Sequence, residues 1–414
     1  MKKRKIFVQI ASYRDPELLP TIRDCINKAS KPKMLTFGIC WQRDETESME
    51  EFANDKRFKI LEYHWSKSKG LCWARSEIQK LWEGEEYTLQ LDSHHRFLQN
   101  WDEELIEMMK LTGSKKPIIT AYAGMYRPSD NKLLNVEPYK MVPSNFTLGG
   151  TILFRPHHID DWEKLTKPLP ARFVSGHYFF TYGIHCEEYK YDPNIYFAGD
   201  EISLSIRSYT LGYDLFHPHK TIVWHEYTRE GRTKHWTDFN EANKKSGTVE
   251  RMWWEMDNDS KRRLRHMLQE EDNNIDLGIY GLGNVRTHHD YELYTGINFK
   301  LRKLHRDAVK GIYPPTNDMS EWWKDVEEEY EITAKWDKSI LNQSEKLKFI
   351  YLGIEDASGK VLYRKDFTPA ADEKVFSGEQ TSYMEKIKSY SKPIKYVIWP
   401  NDGEWLQRVD TNIV

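Results

Sequence analysis

Glu85-Glu86-Tyr87-Thr88-Leu89-Gln90-Leu91-Asp92-Ser93-His94-His95-Arg96-Phe97 is the stretch whose reading decides the fold. Tyr87 to Leu91 is an apolar run of strand length. It stops abruptly at an Asp-x-His pair, Asp92 and His94. In extended chain, residues i and i+2 lie on one side, so this carboxylate and imidazole converge on one point beyond the strand. The carboxyl ends of strands in open α/β sheets are where ligands bind. A carboxylate with an imidazole suits a Mn²⁺-like ion that also takes diphosphate oxygens.

Working outward, strands are expected over residues 5–11, 34–42 and 58–63. Helices are expected over 17–29, opened by Pro16, and over 71–82. Beyond the Asp-Ser-His turn, a helix at 103–112 and a strand at 117–122 continue the alternation. This predicts an α/β domain with a mostly parallel, Rossmann-like sheet covered on both faces. Residues 127–144 read as polar and irregular, with short strands at 151–154 and 179–182. A helix follows at 201–211, strands at 213–217 and 221–224, and helix-prone sequence from 230 to 275. After the breaker Tyr313-Pro-Pro-Thr-Asn317, a helical connector is expected at 321–334. Strands are expected at 349–354, 361–367, 395–399 and 405–409. The domain expectation is therefore 1–310, a helical connector over 311–340, and a small β module over 341–414.

Composition narrows the class. Over 414 residues, 39% are hydrophobic and 30% charged, which suits a soluble globular chain. The formal net charge of -3 argues against nucleic acid as a partner. The apolar run at 6–11 is too short for a membrane span. Cys25, Cys40, Cys72 and Cys186 show no paired spacing and read as reduced thiols of a cytoplasmic protein. No Gly-x-Ser-x-Gly elbow and no phosphate-binding loop signature of the Walker type occur.

Asp-x-His alone is short, and an acid and a histidine after a strand are more often a solvated turn. Context strengthens it. In Gly70-Leu-Cys-Trp-Ala-Arg75, Arg75 lies one turn into a helix, where its planar fork either takes diphosphate or pairs with Glu77 or Glu83. Asp200 and Glu201 open a later helix, and His225 ends the apolar stretch 221–224.

Ile10-Ala-Ser-Tyr-Arg-Asp-Pro16, Gly70-x-x-x-Ala-Arg75, Leu91-Asp-Ser-His94 and Phe197-Ala-Gly-Asp-Glu201 occur in that order. Trp224-His-Glu-Tyr-Thr-Arg229 and Gly281-Leu-Gly-Asn-Val-Arg-Thr287 follow. Together they resemble the GlcNAc-transferase family, whose best-known members attach GlcNAc to a hydroxyproline of a cytoplasmic ubiquitin-ligase adaptor. The set is more distantly similar to mucin-type polypeptide GalNAc-transferases. The resemblance spans roughly residues 5 to 300 and leaves the C-terminal module unmatched.

That resemblance implies a GT-A fold, a UDP-sugar donor, a divalent cation such as Mn²⁺, and retention at the anomeric carbon. It implies Asp92, His94 and the later His225 as metal ligands. Ala11, Ser12, Arg14, Arg75, Ser93, Arg229 and Arg286 become donor contacts alongside Asp92. It places Asp15 beside uracil and ribose, although Asp15 also suits a helix cap. Asp200 and Glu201 are the carboxylates for the reaction centre, and either could point inward. Lys234, His235 and Trp236 are read as diphosphate neighbours or as exposed loop. His288 and His289 are at best pocket neighbours. The acceptor is expected to be a protein hydroxyl or a saccharide, with the β module contacting it or mediating self-association into an oligomer. The rival classes are a binding protein that has lost catalysis and a phosphohydrolase acting on nucleotide diphosphates.

Overall fold

The computed structural model describes residues 5–147, 149–229, 231–312 and 326–413. Contacts divide the chain into two units, Met1–Asn317 and Asp318–Val414.

In the first unit, β1 (Ile6–Tyr13), α1 (Leu18–Lys28), β2 (Leu35–Arg43) and β3 (Phe58–His64) fall within a few residues of expectation. So do α2 (Leu71–Gln79) and β4 (Tyr87–Asp92). β1 lies parallel to β2 and to β4, and β2 parallel to β3. Alternate residues of β1 divide between two cores. Ile6, Val8 and Ile10 pack with Leu18, Ile22 and Cys25 of α1. Phe7 and Ala11 pack with Trp73, Ala74 and Ile78 of α2. A strand covered on both faces has no polar side to show, which is why it reads as a continuous apolar run.

The chain continues through β5 (His95–Phe97), α3 (Trp101–Leu111), β6 (Pro117–Thr120), β7 (Gly124–Arg127) and β8 (Lys132–Leu133). Next come β9 (Tyr139–Phe146), β10 (Ile152–His158), β11 (Leu169–Pro170) and β12 (Tyr178–Tyr182). α4 (His185–Glu188), α5 (Asp200–Thr210), β13 (Asp214–His217), β14 (Val223–His225) and α6 (His235–Asp238) complete the elements around the site. The main sheet has eight strands in the order β11-β13-β6-β12-β4-β1-β2-β3. It is mostly parallel, but β12 runs antiparallel to both of its neighbours, β4 and β6. The start of β12 therefore sits at the end of the sheet where the parallel strands finish.

Residues 127–144, expected to be irregular, instead contain β8 and most of β9, which pairs with β10 as a hairpin. The misleading residue is Pro143. It sits opposite Phe154 next to a register shift, a position where a strand tolerates the missing N–H.

The second unit is β-rich. Strands Phe349–Asp356, Val361–Phe367, Pro393–Asn401 and Val409–Asn412 form an antiparallel sheet. The helical connector expected over 311–340 is corrected in its described part. Glu328–Lys335 is a strand paired antiparallel with Ser382–Ser389. Its acidic residues face solvent while Ile332 and Ala334 are buried, a period of 2 that the run of Glu obscures. The breaker at 313–317 and the start of the expected helix lie outside the described residues. The strand expected at 405–409 is displaced. Trp405 makes only an isolated bridge to Asn401, and pairing resumes at Val409.

Candidate functional site

β4 delivers Asp92 at its last residue, and the turn after it carries His94. His225 is the last residue of β14, which pairs antiparallel with β5 so that His225 stands opposite His95. These two short strands bring His225 back to the end of β4. One ligand atom each from Asp92, His94 and His225 lies within 4.8 Å of the others. Asp92 Oδ2 is 3.7 Å from His94 Nε2 and 3.5 Å from His225 Nε2.

The surroundings fit a cation. Both ring nitrogens of His225 are buried without a hydrogen-bond partner among the described residues. Burial, helped by His94 and His95, pushes the His225 imidazole well below its usual range and leaves it neutral with a free lone pair. Burial alone would raise Asp92, but His225, Arg75 and His94 outweigh it and hold the carboxylate well below the usual range. Asp15 Oδ2 lies 2.7 Å from His94 Nδ1 and accepts from Ser93 Oγ at 2.7 Å. A carboxylate on one imidazole nitrogen fixes the tautomer and turns the other toward a metal. Asp15 also accepts from the Glu17 N–H through Oδ1 at 2.9 Å, so one carboxylate serves both α1 and His94.

Two cavities meet at this cluster, sharing Leu71, Asp92, Phe197, His225 and Arg229. The first, about 170 Å³, is lined by Ala11, Tyr13, Gln42, Gly70, Ser93, His94 and the segment 232–236. Gly70 has φ +106, and a Cβ there would lie 2.7 Å from the Tyr196 carbonyl oxygen, so the close entry to α2 requires glycine. The 232–236 segment is tied down. His235 Nδ1 and Nε2 lie 2.7 Å from Tyr196 Oη and 2.9 Å from Ser68 Oγ, and Tyr13 Oη donates to Asp238 at 2.7 Å.

The second cavity, about 720 Å³, is lined by Arg75, Tyr122, Tyr139, Phe154, His177, Asp200, Glu201 and Tyr227 among others. Glu201 accepts from the Gly176 N–H at 3.1 Å and from Tyr122 Oη at 2.9 Å. Burial nevertheless pushes its carboxyl up to about 7. Asp200 is bonded by Arg75 and by Cys72 Sγ. Of the two, Glu201 is the carboxylate not consumed by a cation.

Three expected donor contacts are placed elsewhere. Arg75 is 2% exposed, and its guanidinium is spent on Asp200, on Asp92 Oδ1 at 3.0 Å and on the Gly176 carbonyl at 2.6 Å. It joins the two carboxylates across the cavity junction, and pairs with neither Glu77 nor Glu83. Arg14 is held by Asp44 and Asp238 at 2.9 and 2.8 Å and anchors α6 rather than lining a cavity. Arg286 donates to the Tyr209 and Tyr213 carbonyls and to Asp214, stapling the end of α5 to β13 away from both cavities. Ser12 is fully buried beneath the first cavity, its carbonyl accepting from Gln42 Nε2 at 3.0 Å. His288 bonds the Leu268 carbonyl at 2.8 Å and lines neither cavity.

His177 was not singled out in the sequence. Its ring centroid is 4.4 Å from that of His225, and Nε2 accepts from the Ala123 N–H at 3.2 Å. The only sequence signal is Ser175-Gly-His177 just before the apolar start of β12. In a wholly parallel sheet that would be the wrong end. The antiparallel course of β12 puts His177 beside Asp92, whose N–H donates to the His177 carbonyl at 3.2 Å. Tyr122 and Tyr139 carry no motif, Tyr227 sits inside Trp224–Arg229 without a role read for it, and the three line one cavity only through tertiary structure.

A mixed sheet of this order, with an Asp-x-His at the end of its fourth strand, defines the GT-A class of glycosyltransferase architecture. The family model described as "Glycosyltransferase (GlcNAc)" matches residues 5–56 and 48–301, and the chain belongs to that family. No curated protein matches. Among solved structures, the chain is similar to GalNAc-T7 with UDP, GalNAc and Mn²⁺ at 14% identity and TM-score 0.46, over 73% of this chain and 59% of that one. It is also similar to S. aureus TarS 1-349 in complex with UDP-GlcNAc, at 13% identity and TM-score 0.40, over 65% of this chain and 67% of that one.

Proposed function

We propose that the chain is a metal-dependent, retaining glycosyltransferase that moves GlcNAc from UDP-GlcNAc to a hydroxyl acceptor. The observation that carries this is the convergence of Asp92, His94 and His225 where the two cavities meet. The first cavity is read as the donor side and the second as the acceptor side. Asp92, His94 and His225 would hold a divalent ion, Mn²⁺ by preference, and Asp15 would orient His94. When bound, that ion supplies a Lewis acid for the charge left on the departing diphosphate. Arg229 and Lys234, which line the first cavity, bring positive charge to the same oxygens.

Glu201 is read as the group that holds the acceptor hydroxyl or a donor sugar hydroxyl. A carboxyl poised near 7 can accept or donate that hydrogen bond at neutral pH. Arg75 helps hold Asp92 ionised and, by bridging it to Asp200, fixes their spacing, a positioning role. For retention, the acceptor oxygen attacks from the face the nucleotide leaves, and the departing phosphate oxygen takes its proton.

A protein hydroxyl is the preferred acceptor. A saccharide is the second reading, favoured by the aromatic walls that Tyr122, Tyr139 and Phe154 give the second cavity. Four buried, unpaired cysteines support a reducing, cytoplasmic setting. No helix among the described residues is long and apolar enough to cross a membrane. The test is UDP release from a panel of UDP-sugars with Mn²⁺ or EDTA, followed by a panel of glycans and Ser/Thr/hydroxyproline peptides. Selective Mn²⁺-dependent turnover of UDP-GlcNAc is expected. Metal-independent turnover, or none with any donor and acceptor, would overturn the reading.

A further inference from the structure

Arg232 sits in the first cavity with its side chain only 11% exposed. Its Nη1 lies 2.9 Å from His94 Nε2, 2.6 Å from His94 Nδ1 and 3.3 Å from Asp15 Oδ2. Nη2 pairs with Glu226 Oε2 at 2.7 Å and meets the Glu226 carbonyl at 3.3 Å, while Nε is buried without a partner. Asp15 holds His94 at Nδ1, 2.7 Å away, and Nε2, 3.7 Å from Asp92 Oδ2, is the nitrogen turned toward the other two ligands. A divalent ion bonded to Nε2 would be about 2 Å from it. Adding the 2.9 Å contact, the ion could stand no farther than about 5 Å from the guanidinium nitrogen. Two cations that close in a buried site repel with little help from solvent screening.

We propose that Arg232 is a placeholder cation, holding the metal-free site together and giving way when a divalent ion and a diphosphate arrive. This rests on the metal-dependent reading above. The guanidinium supplies a positive charge against which Asp15 and Glu226 pack, with His94 beside it. On ion binding it gives up His94 and turns, with Glu226 as its tether, into the cavity it already lines. There its planar fork suits diphosphate oxygens. Ion and nucleotide then help each other bind, because the first frees the side chain that the second uses, and such coupling is reciprocal.

The experiment measures Mn²⁺ affinity of the full chain without nucleotide, then UDP affinity at saturating Mn²⁺. Arg232→Met is expected to bind Mn²⁺ alone about tenfold more tightly and UDP about tenfold more weakly than the parent chain, within the usual range of coupling between sites. Arg232→Gln, which keeps a donor without the charge, should shift both affinities the same way and serves if the Met variant unfolds. Arg229→Met removes a cation from the same cavity without a contact to His94. It should change nucleotide-free Mn²⁺ binding by less than about twofold, well below the range for coupled sites. Unchanged or weaker Mn²⁺ binding in both Arg232 variants would make Arg232 a strut for His94 and overturn the proposal. Equal tightening in Arg229→Met would reduce it to general charge and also overturn it. Asp92→Asn separates the two levels. If it binds Mn²⁺ as well as the parent chain, or neither binds, the metal-dependent reading has failed and the placeholder falls with it.

Discussion

The two cavities that meet at Asp92 are made of different material. The first is narrow and ionic, with His94, His225 and Arg232 around a carboxylate and a segment pinned by Tyr13, Ser68 and Tyr196. The second is wide and aromatic, with Tyr122, Tyr139, Phe154 and Tyr227 around Glu201. On the ionic side Asp92 ends β4 of the main sheet and His225 ends β14 of the separate β5-β14-β7-β8 sheet, so strand pairing fixes both. The aromatic side is closed by the β9–β10 hairpin, a two-stranded sheet of its own, and by β7, which pairs with β14. On the proposed reading, a donor side fixed by strand pairing and an acceptor side walled partly by a separate hairpin would let one fold serve different acceptors.

Asp92→Asn should show the largest break, because Asp92 belongs to both cavities and to the Arg75 ladder. Loss of a charged ligand should lower kcat/KM on the order of 10³-fold and abolish Mn²⁺ binding, checked by UDP release and metal titration. Glu201→Gln tests the aromatic side. It should reduce kcat on the order of 10²-fold with donor KM little changed, and remove a pH-rate limb near 7.

Glu201 also carries a stability signature. Its folded-state carboxyl is raised to about 7, chiefly by burial, above the ordinary value of 4.5. The folded chain therefore binds the proton more tightly than the unfolded chain does. This contribution is fully present below about pH 4.5 and is lost as pH rises through about 7. Denaturant titrations across that window should show parent-chain stability falling relative to Glu201→Gln. A flat difference would mean that Glu201 is not buried as described.

Asp15→Asn sharpens the ionic side. It keeps the shape but removes the carboxylate behind His94, and should weaken Mn²⁺ binding by about 10- to 100-fold while the fold persists. Tyr139→Ala should be the mildest of the set, raising acceptor KM by roughly threefold to tenfold for one lost stacking contact while leaving UDP and Mn²⁺ affinities unchanged. A fall in UDP affinity would mean that the two cavities are not divided as described.

The difference between the cavities also decided what the sequence could reveal. Asp92, His94 and His225 are legible because strand period and strand ends place them without knowledge of the neighbours. Asp15 was legible as a functional position, but its work on His94 depends on a turn arriving from 79 residues away. Arg75 was open in the sequence because a helical arginine one turn in can face solvent or core, and in the structure it faces the buried pair Asp92 and Asp200. The partners of Arg14 and Arg286, Asp44 with Asp238 and Asp214, were illegible for the same reason, as local motif order does not say which acceptors lie nearest. His177 was hidden by strand direction, and Tyr139 by Pro143 inside its strand. In the second unit, Glu328–Lys335 was hidden by charged residues on its solvent face.

The central claim is that Asp92, His94 and His225 hold one divalent ion beside the donor. Crystals soaked with Mn²⁺ and UDP-GlcNAc, with anomalous data collected for manganese, test it most directly. The account predicts one strong peak within bonding distance of Asp92, His94 and His225, with the diphosphate in the first cavity. Donor density in that cavity with no manganese among those three residues, or manganese bound elsewhere, would contradict it.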